Sequence, residues 1–190
     1  MPINKTWWAR PLSQTPIPTP MPDDVVAAAT LAVITNDDDP FIILTKRASH
    51  LKKHAGQISF PGGRVDASDT SLIHTSLREA EEEISLLADS LEIAGFLPDM
   101  LTGTGYRITP VVATSSASKS QLQDQLIADA GEVEAILYLP LSLALDKDAY
   151  DQFTRQDKGT KWRSWRLHHE DHIRWGATAA ILHQWANALS

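Results

Sequence analysis

The segment Arg78-Glu79-Ala80-Glu81-Glu82-Glu83-Ile84 contains four glutamates within five residues. In a helix, residues three and four positions apart are neighbours, so Glu79, Glu82 and Glu83 would share one side. Like charges at this spacing repel one another, which predicts a cation on that face. Hard divalent cations such as Mg²⁺ bind carboxylate oxygens together with substrate phosphates. The alternative is a solvated acidic helix face that is balanced by nearby lysines.

The helix that carries these glutamates is predicted from about residue 70 to residue 88, with Asp69 or Thr70 as its N-cap. A separate apolar stripe at helical spacing consists of Ile73, Leu77, Ala80, Ile84 and Leu87. Gly62 and Gly63 lead through an acidic loop into the helix. Because glycine lets a backbone approach closely, their turn is expected to lie against the glutamates.

Short apolar runs on both sides of this helix predict a sheet. Residues 25–35 and 41–47 flank the turn-rich spacer NDDDP and predict a hairpin. Further strands are predicted at 58–60, 91–97, 107–114 and 133–139, with a second hairpin joining 162–167 to 172–175. Residues 176–189 have apolar side chains at helical spacing and predict a closing helix. This order favours an α/β fold with a mixed sheet between helices.

The chain has 190 residues and a formal net charge of −7, which suits one domain with short appendages. Repeated prolines predict an extended leader over residues 1–24, followed by a domain over residues 25–190. Trp7 and Trp8 are expected to pack against this domain, with ligand stacking as the alternative. The chain has no cysteine, which excludes disulfides, thiolate metal sites and cysteine nucleophiles and fits a reducing compartment.

Composition also excludes several partners. The acidic balance argues against binding to nucleic acid or to an anionic membrane. The longest apolar run, residues 25–35, is shorter than the roughly 20 residues of a transmembrane helix. The leader lacks the apolar segment of a signal peptide. We therefore expect a cytoplasmic protein with a small-molecule substrate, while the sequence does not indicate its oligomeric state.

Residues 78–86 resemble the second half of the Nudix hydrolase box, G-x5-E-x7-R-E-U-x-E-E-x-G-U, in which U is aliphatic. Ser85 stands where the box has its last glycine. Counted back through the motif, the early glutamate falls on Thr70 and the first glycine on Arg64, so Gly63 is displaced by one residue. The first half of the box therefore matches less closely than the second.

The preceding residues 44–63, LTKRASHLKKHAGQISFPGG, are similar to the signature of the coenzyme A pyrophosphatase subgroup, L-L-T-x-R-x-x-x-L-R-x-H-x-G-Q-V-x-F-P-G-G. This subgroup also carries aspartates like Asp66 and Asp69 after the glycines. Residues 103–111 and 175–179 are similar to it as well. The resemblance covers about residues 25–185 and implies a Nudix-like α/β/α sandwich with a mixed β-sheet.

The resemblance implies Mg²⁺ or Mn²⁺ as the cofactor. Glu79 and Glu83 would be the principal metal ligands, and Glu82 a third ligand or the residue that holds the catalytic water. The carbonyl of Gly62 or Gly63 would complete the coordination shell.

Arg78 and a base belong to the implied catalytic set. Arg78 would fix one carboxylate of the box, and the alternative is an exposed ion pair with Glu82. Nudix enzymes take the general base either from the box helix or from a later loop. Glu132 is the loop candidate, ahead of Glu134, and a plain surface carboxylate is the alternative interpretation of Glu132.

The predicted substrate-binding residues are Arg47, Lys52, Lys53, His54, Gly62 and Gly63. Coenzyme A carries a diphosphate and a 3′-phosphate, which suit cations beside a metal site. The alternative is a solvated basic loop. His54 would either donate to phosphate or fix the loop.

The implied activity is hydrolysis of the diphosphate of coenzyme A or acyl-CoA to 3′,5′-ADP and (acyl-)4′-phosphopantetheine. One alternative keeps the chemistry but uses ADP-ribose, a dinucleoside polyphosphate or a nucleoside triphosphate. Another is a catalytically weak Nudix module that binds a CoA-like ligand. His168, His169 and His172 are interpreted as a polar hairpin turn in preference to a metal cluster. The glycines of residues 103–105 are interpreted as a flexible loop over the substrate.

Overall fold

The computed structural model describes residues 7–17, 24–52, 54–157, 160–169 and 172–189. The strands are β1 (Val26–Ile34), β2 (Phe41–Arg47), β3 (Ile58–Ser59), β4 (Gly62–Arg64), β5 (Leu91–Phe96), β6 (Met100–Leu101), β7 (Tyr106–Ser115), β8 (Val133–Pro140), β9 (Tyr150–Asp157), β10 (Thr160–His169) and β11 (His172–Trp175). The helices are α1 (Leu72–Ile84), α2 (Lys119–Gln125), α3 (Leu141–Ala144) and α4 (Ala177–Ala188). Short 3-10 turns lie at Trp7–Ala9, Ala88–Ser90 and Lys147–Ala149.

A mixed sheet of eight strands forms the centre of the fold. Its order is β3-β2-β1-β7-β5, with β4 paired to β1, β6 to β7 and β8 to β2. β1 and β7 run parallel, and the other pairs of this sheet are antiparallel. A separate antiparallel sheet contains β9, β10 and β11. The expected α/β class with a mixed sheet is confirmed.

The predicted hairpin of β1 and β2 is present but narrow. Ile34 of β1 pairs with Ile42 of β2, near the turn. Beyond that point β1 pairs with β4 and β7, whereas β2 pairs with β3 and β8. β4 can therefore lie beside β1 over residues 28–30, which brings the Gly62–Gly63 turn to the sheet.

Two hydrophobic cores form because β1 directs alternate side chains to opposite faces of the sheet. Leu31 and Val33 pack on the face covered by α1. Ala32 and Ile34 pack on the other face, together with Trp185 of α4. The two long helices thus enclose the sheet, as in an α/β/α sandwich.

The helix α1 is shorter than predicted. Its N-cap is Ser71, whose hydroxyl accepts a hydrogen bond from the His74 N–H at 3.1 Å, so neither Asp69 nor Thr70 is the cap. The helix ends at Ile84 because Ser85 adopts a left-handed conformation with φ of 56°. Leu87 consequently lies outside the helix and is 58% exposed, so its assignment to the apolar stripe was wrong.

The described part of the leader packs on the domain. Trp8 is only 4% exposed, and its carbonyl accepts a hydrogen bond from the Trp185 indole N–H at 2.8 Å. Ser13 exchanges backbone hydrogen bonds with Phe96 of β5. The expected packing of Trp8 is confirmed, although the leader forms a 3-10 turn where an extended chain was predicted. The domain boundary at residue 25 stays a prediction.

Other elements differ from the sequence expectation only in part. The predicted strands at 91–97, 107–114 and 133–139 correspond to β5, β7 and β8 within two residues at each end. The second hairpin is present as β10 and β11. α2, α3 and β9 were not predicted. None of the described helices is long and apolar enough to cross a membrane.

Candidate active site

The helix α1 and the strand β4 bring two glutamates to the Gly62–Gly63 turn. A Cβ atom on Gly63 would lie 2.4 Å from the carboxylate carbon of Glu79, so only glycine leaves room for this carboxylate. Glu83 lies one turn further along α1 and is 8% exposed. Its Oε2 atom is buried and has no hydrogen-bond partner among the described residues. An unsatisfied buried carboxylate oxygen is costly unless a ligand binds it.

Both carboxylates lie in an electrostatically unfavourable place. Burial raises the pKa of Glu83 to about 8, with further increases from the negative charges of Glu79 and Glu132. The backbone of Gly62 and the charge of Arg47 partly offset this rise. Burial also raises the pKa of Glu79. A bound cation would relieve this excess of negative charge.

Arg78 links three carboxylates at the site. Its Nε and Nη2 atoms donate to the two oxygens of Asp69, each at 3.0 Å. Its Nη1 atom donates to Glu79 at 2.9 Å and to Glu82 at 3.0 Å. Arg78 thus holds the Glu79 carboxylate, and Asp69 holds Arg78 in turn.

Asp69 also belongs to the site, although it was not among the predicted site residues. Its side chain is fully buried and also accepts hydrogen bonds from the Thr75 hydroxyl at 2.9 Å and from the Asp66 N–H at 2.8 Å. The Arg78 guanidinium is the main reason that the pKa of Asp69 lies well below its usual range. Asp69 directly precedes Thr70, the position of the early box glutamate. The nearness of an acidic residue to that position was the available signal.

Glu82 is not brought together with Glu79 and Glu83 as a set of three. Its side chain is 59% exposed, and Arg78 holds one of its oxygens. In the part of the chain that the structure describes, no group of three or more His, Asp or Glu side chains is arranged to hold a metal ion. The groups that lie together are Glu79, Glu83 and the backbone of the glycine turn.

Glu132 reaches this site, whereas Glu134 does not. A register shift between Lys46 and Arg47 places Arg47 opposite Val133 and Lys46 opposite Ala135. Arg47 Nη1 lies 3.3 Å from Glu132 Oε2, and the Glu132 charge raises the pKa of Glu83. A bulge of this kind redirects side chains near functional sites.

The Glu134 carboxylate is engaged elsewhere. It accepts hydrogen bonds from Lys46 Nζ at 2.6 Å and from the Ser49 hydroxyl. Lys46 is the main reason that the pKa of Glu134 is lowered. These contacts support the preference for Glu132 over Glu134 as the candidate base.

The basic loop between β2 and β3 is closed by its backbone. The Arg47 N–H donates to the Gln57 carbonyl at 2.9 Å, and the Gly56 N–H donates to the Arg47 carbonyl at 3.0 Å. Lys52 and His54 are exposed on this loop, and His54 has a left-handed φ of 59°. Lys53 lies outside the described residues. Arg47 contacts a carboxylate beside the site, that of Glu132.

Two other motifs, the histidines of residues 168–172 and the glycines of residues 103–105, lie where strands are joined. His169 pairs with His172 across the β10–β11 hairpin, whose two turn residues are outside the described chain. The glycines of residues 103–105 join β6 to β7, and the Gly105 carbonyl accepts a hydrogen bond from the Val26 N–H at 2.9 Å. The hairpin interpretation of the histidines agrees with this pairing.

Residues 25–162 match the NUDIX domain. The chain is 41% identical over 162 residues to the Uncharacterized Nudix hydrolase NudL of Escherichia fergusonii, covering 84% of this chain and 80% of that protein. It is 39% identical over 159 residues to the protein of the same name from Enterobacter sp. (strain 638), with the same coverage.

Two solved structures share the fold. A MutT/nudix family protein from Enterococcus faecalis aligns with a TM-score of 0.51 at 14% identity, over 96% of this chain and 71% of that one. The Nudix hydrolase RenU from M. smegmatis aligns with a TM-score of 0.50 at 16% identity, over 62% of this chain and 71% of that one.

Proposed function

The chain belongs to the NUDIX domain family, and we propose that it hydrolyses the diphosphate bond of coenzyme A or acyl-CoA. The products would be 3′,5′-ADP and (acyl-)4′-phosphopantetheine. The observation that carries the proposal is the position of Arg47, which belongs to the segment 44–63 that resembles the coenzyme A pyrophosphatase signature. Its guanidinium contacts Glu132, and its charge acts on the Glu83 carboxylate at the glycine turn. A cation next to a metal-binding carboxylate pair suits a substrate with several phosphates.

Members of this family generally use divalent metal ions. Glu79, Glu83 and a carbonyl of the Gly62–Gly63 turn would hold Mg²⁺ or Mn²⁺ here, and Glu82 would serve as a third ligand or hold the attacking water. The unpartnered Oε2 of Glu83 and the raised pKa values of both buried carboxylates support this fit. Such an ion neutralises charge on the phosphates and lowers the pKa of bound water.

The protein's own side chains would bind the substrate and move the proton. The oxygen of water bonds to one phosphorus, and the bridging oxygen leaves with the other phosphate. Glu132 would accept the proton that the water loses. It is the loop carboxylate beside the site, and a later loop is one of the two places from which Nudix enzymes take the base. Arg78 would hold Glu79 in place, while Arg47, Lys52, Lys53 and His54 would contact the phosphates.

Incubation of the purified protein with coenzyme A and Mg²⁺, followed by mass spectrometry, tests this proposal. Both fragments are expected with wild type, and Glu83→Gln is expected to lose most of the turnover. Glu81→Gln is the matched control because Glu81 is exposed on the same helix. Normal turnover by Glu83→Gln would refute the metal site, and absence of both fragments with wild type would refute the substrate.

Two alternatives are separated by a wider panel. The first alternative is another substrate, and it is tested by comparing kcat/KM for coenzyme A with the values for ADP-ribose, a dinucleoside polyphosphate and a nucleoside triphosphate. A catalytically weak CoA-binding module would show thermal stabilisation by CoA without product, even with Mn²⁺. The lack of cysteine supports a cytoplasmic location. The acidic composition supports a small-molecule substrate, with no nucleic-acid or membrane partner.

A further inference from the structure

Arg47 has two competing anionic partners if the proposed function is correct. In the structure its guanidinium is paired with Glu132, the candidate base. The proposed substrate brings a diphosphate that needs the same cation. We infer that a diphosphate displaces Glu132 from Arg47, so that substrate binding itself frees the base. This inference rests on the proposed function and concerns the control of the same site.

The geometry of the Arg47–Glu132 pair allows Arg47 to exchange one anionic partner for another. The two atoms are 3.3 Å apart, only one guanidinium nitrogen takes part, and the side chains are 35% and 52% exposed. Exposed ion pairs of this kind are weak. An arginine has five N–H donors in a planar fork, so Arg47 keeps donors for bidentate contact with a phosphate.

The neighbouring pair has the opposite character. Lys46 Nζ lies 2.6 Å from Glu134, and the Ser49 hydroxyl donates to the same carboxylate. Among the described residues, two groups therefore hold Glu134, whereas one guanidinium nitrogen holds Glu132. The register shift between Lys46 and Arg47 separates the two pairs along the strand. Exchange at Arg47 consequently does not require Glu134 to move.

The backbone around the pair is fixed, so exchange involves side chains alone. The Ala48 N–H donates to the Glu132 carbonyl at 2.8 Å. Arg47 is bound through both its N–H and its carbonyl to the other side of the loop, at Gln57 and Gly56. Rotation of the Arg47 side chain would therefore move the guanidinium without opening the sheet.

Exchange would also release the Glu132 carboxylate beside the site. The charge of Glu132 raises the pKa of Glu83, so the two carboxylates lie near each other. Once Arg47 binds phosphate, its guanidinium no longer holds Glu132. Release of the candidate base is then coupled to the presence of substrate.

Calorimetric titration with methylenediphosphonate, whose P–C–P bridge resists hydrolysis, tests the exchange in the presence of Mg²⁺. Glu132→Gln removes the competitor, so we expect the Kd to fall about two- to fivefold. Arg47→Met is expected to raise the Kd. In the Arg47→Met background, Glu132→Gln should lower the Kd by a smaller factor than it does in the wild type, because Arg47 is no longer there to be released. Arg47→Lys provides a second variant that retains the charge.

The outcomes separate this inference from the proposed function. If Glu132→Gln leaves the Kd unchanged or raises it, or if its gain is undiminished in the Arg47→Met background, the exchange is refuted. Cleavage of coenzyme A by the wild type in that case would leave the proposed function intact. If the cycle behaves as expected but coenzyme A is not cleaved, the exchange stands and the assigned substrate is wrong. A wild type that does not bind the diphosphonate refutes the exchange, and the cleavage assay with coenzyme A then decides the proposed function by itself.

Discussion

Replacement of Glu83 by glutamine is expected to stabilise the metal-free protein while it removes activity. Glu83 is 8% exposed, and its pKa is raised to about 8 by burial and by Glu79 and Glu132. The unfolded chain ionises this residue near its ordinary value of 4.5. The folded state therefore binds the proton more tightly than the unfolded state, and stability falls as the pH rises between these two values.

The magnitude follows from the difference in proton affinity. Each tenfold change corresponds to about 1.4 kcal/mol, so a rise from 4.5 to about 8 corresponds to roughly 5 kcal/mol when Glu83 is fully ionised. Local relaxation and entry of water reduce the cost of a buried charge. We therefore expect Glu83→Gln to raise the free energy of unfolding by about 2–4 kcal/mol at about pH 8.5, and by less at about pH 6.

Urea unfolding in EDTA at both pH values measures this difference. Glu81→Gln removes an exposed charge from the same helix and should change stability by less than about 0.5 kcal/mol at either pH. The same Glu83→Gln protein should fail to turn over coenzyme A when Mg²⁺ is added. A variant that is less stable than wild type at the higher pH, or a gain that does not depend on pH, would refute the electrostatic account of Glu83.

Three further predictions test other parts of the structure. Asp69→Asn should raise the Mg²⁺ concentration for half-maximal activity about ten- to hundredfold. Adding Arg78→Lys to this variant should raise that concentration little further, because both residues act on the same carboxylates. Fully additive effects of the two substitutions would show that their roles are separate. Ser85→Gly should raise the free energy of unfolding by about 0.5–1 kcal/mol, since it relieves a left-handed residue, and an unchanged Tm would argue against strain there. Trp8→Ala should lower the free energy of unfolding by about 3–5 kcal/mol, measured by urea unfolding, and by more than Trp7→Ala does. Unchanged stability of Trp8→Ala would show that the leader contributes nothing to the core.

The sequence predicted the elements whose periodicity is strong. The helix α1 and the strand β7 were located because their apolar residues are regularly spaced and their neighbours are turn-rich. The end of α1 was misplaced because serine adopts left-handed φ angles only rarely, so Ser85 gave no stop signal. α3 spans only Leu141–Ala144, and such a short run has no helical pattern to detect.

The site was predicted less completely than the fold. Glu79, Glu83 and the glycine turn were expected together, and the structure brings them together. The roles of Glu132 and Glu134 depend on a register shift between two strands distant in sequence, which spacing alone does not reveal. The exposed position of Glu82 depends on how Arg78 divides its hydrogen bonds among three carboxylates, and that division is a property of the assembled fold.

The two departures from the Nudix box bear on whether this chain is a hydrolase or only a binding module. At the early glutamate position, Asp69 supplies the carboxylate from one residue earlier and meets Arg78 through two hydrogen bonds. At the late glycine position, Ser85 adopts the left-handed conformation that glycine favours and ends the helix there. At both positions, therefore, this chain has a residue with a defined structural part: Asp69 binds Arg78, and Ser85 ends the helix.

The cost of the buried glutamates points the same way. Glu79 and Glu83 are held in a setting that raises the pKa of each, and Glu83 has a buried oxygen without a partner among the described residues. A module that bound coenzyme A through Arg47 and its loop would need neither carboxylate. Perturbed titratable groups of this kind are concentrated at catalytic sites. The destabilising pair therefore favours the proposed hydrolysis, for which a bound cation would offset the charge.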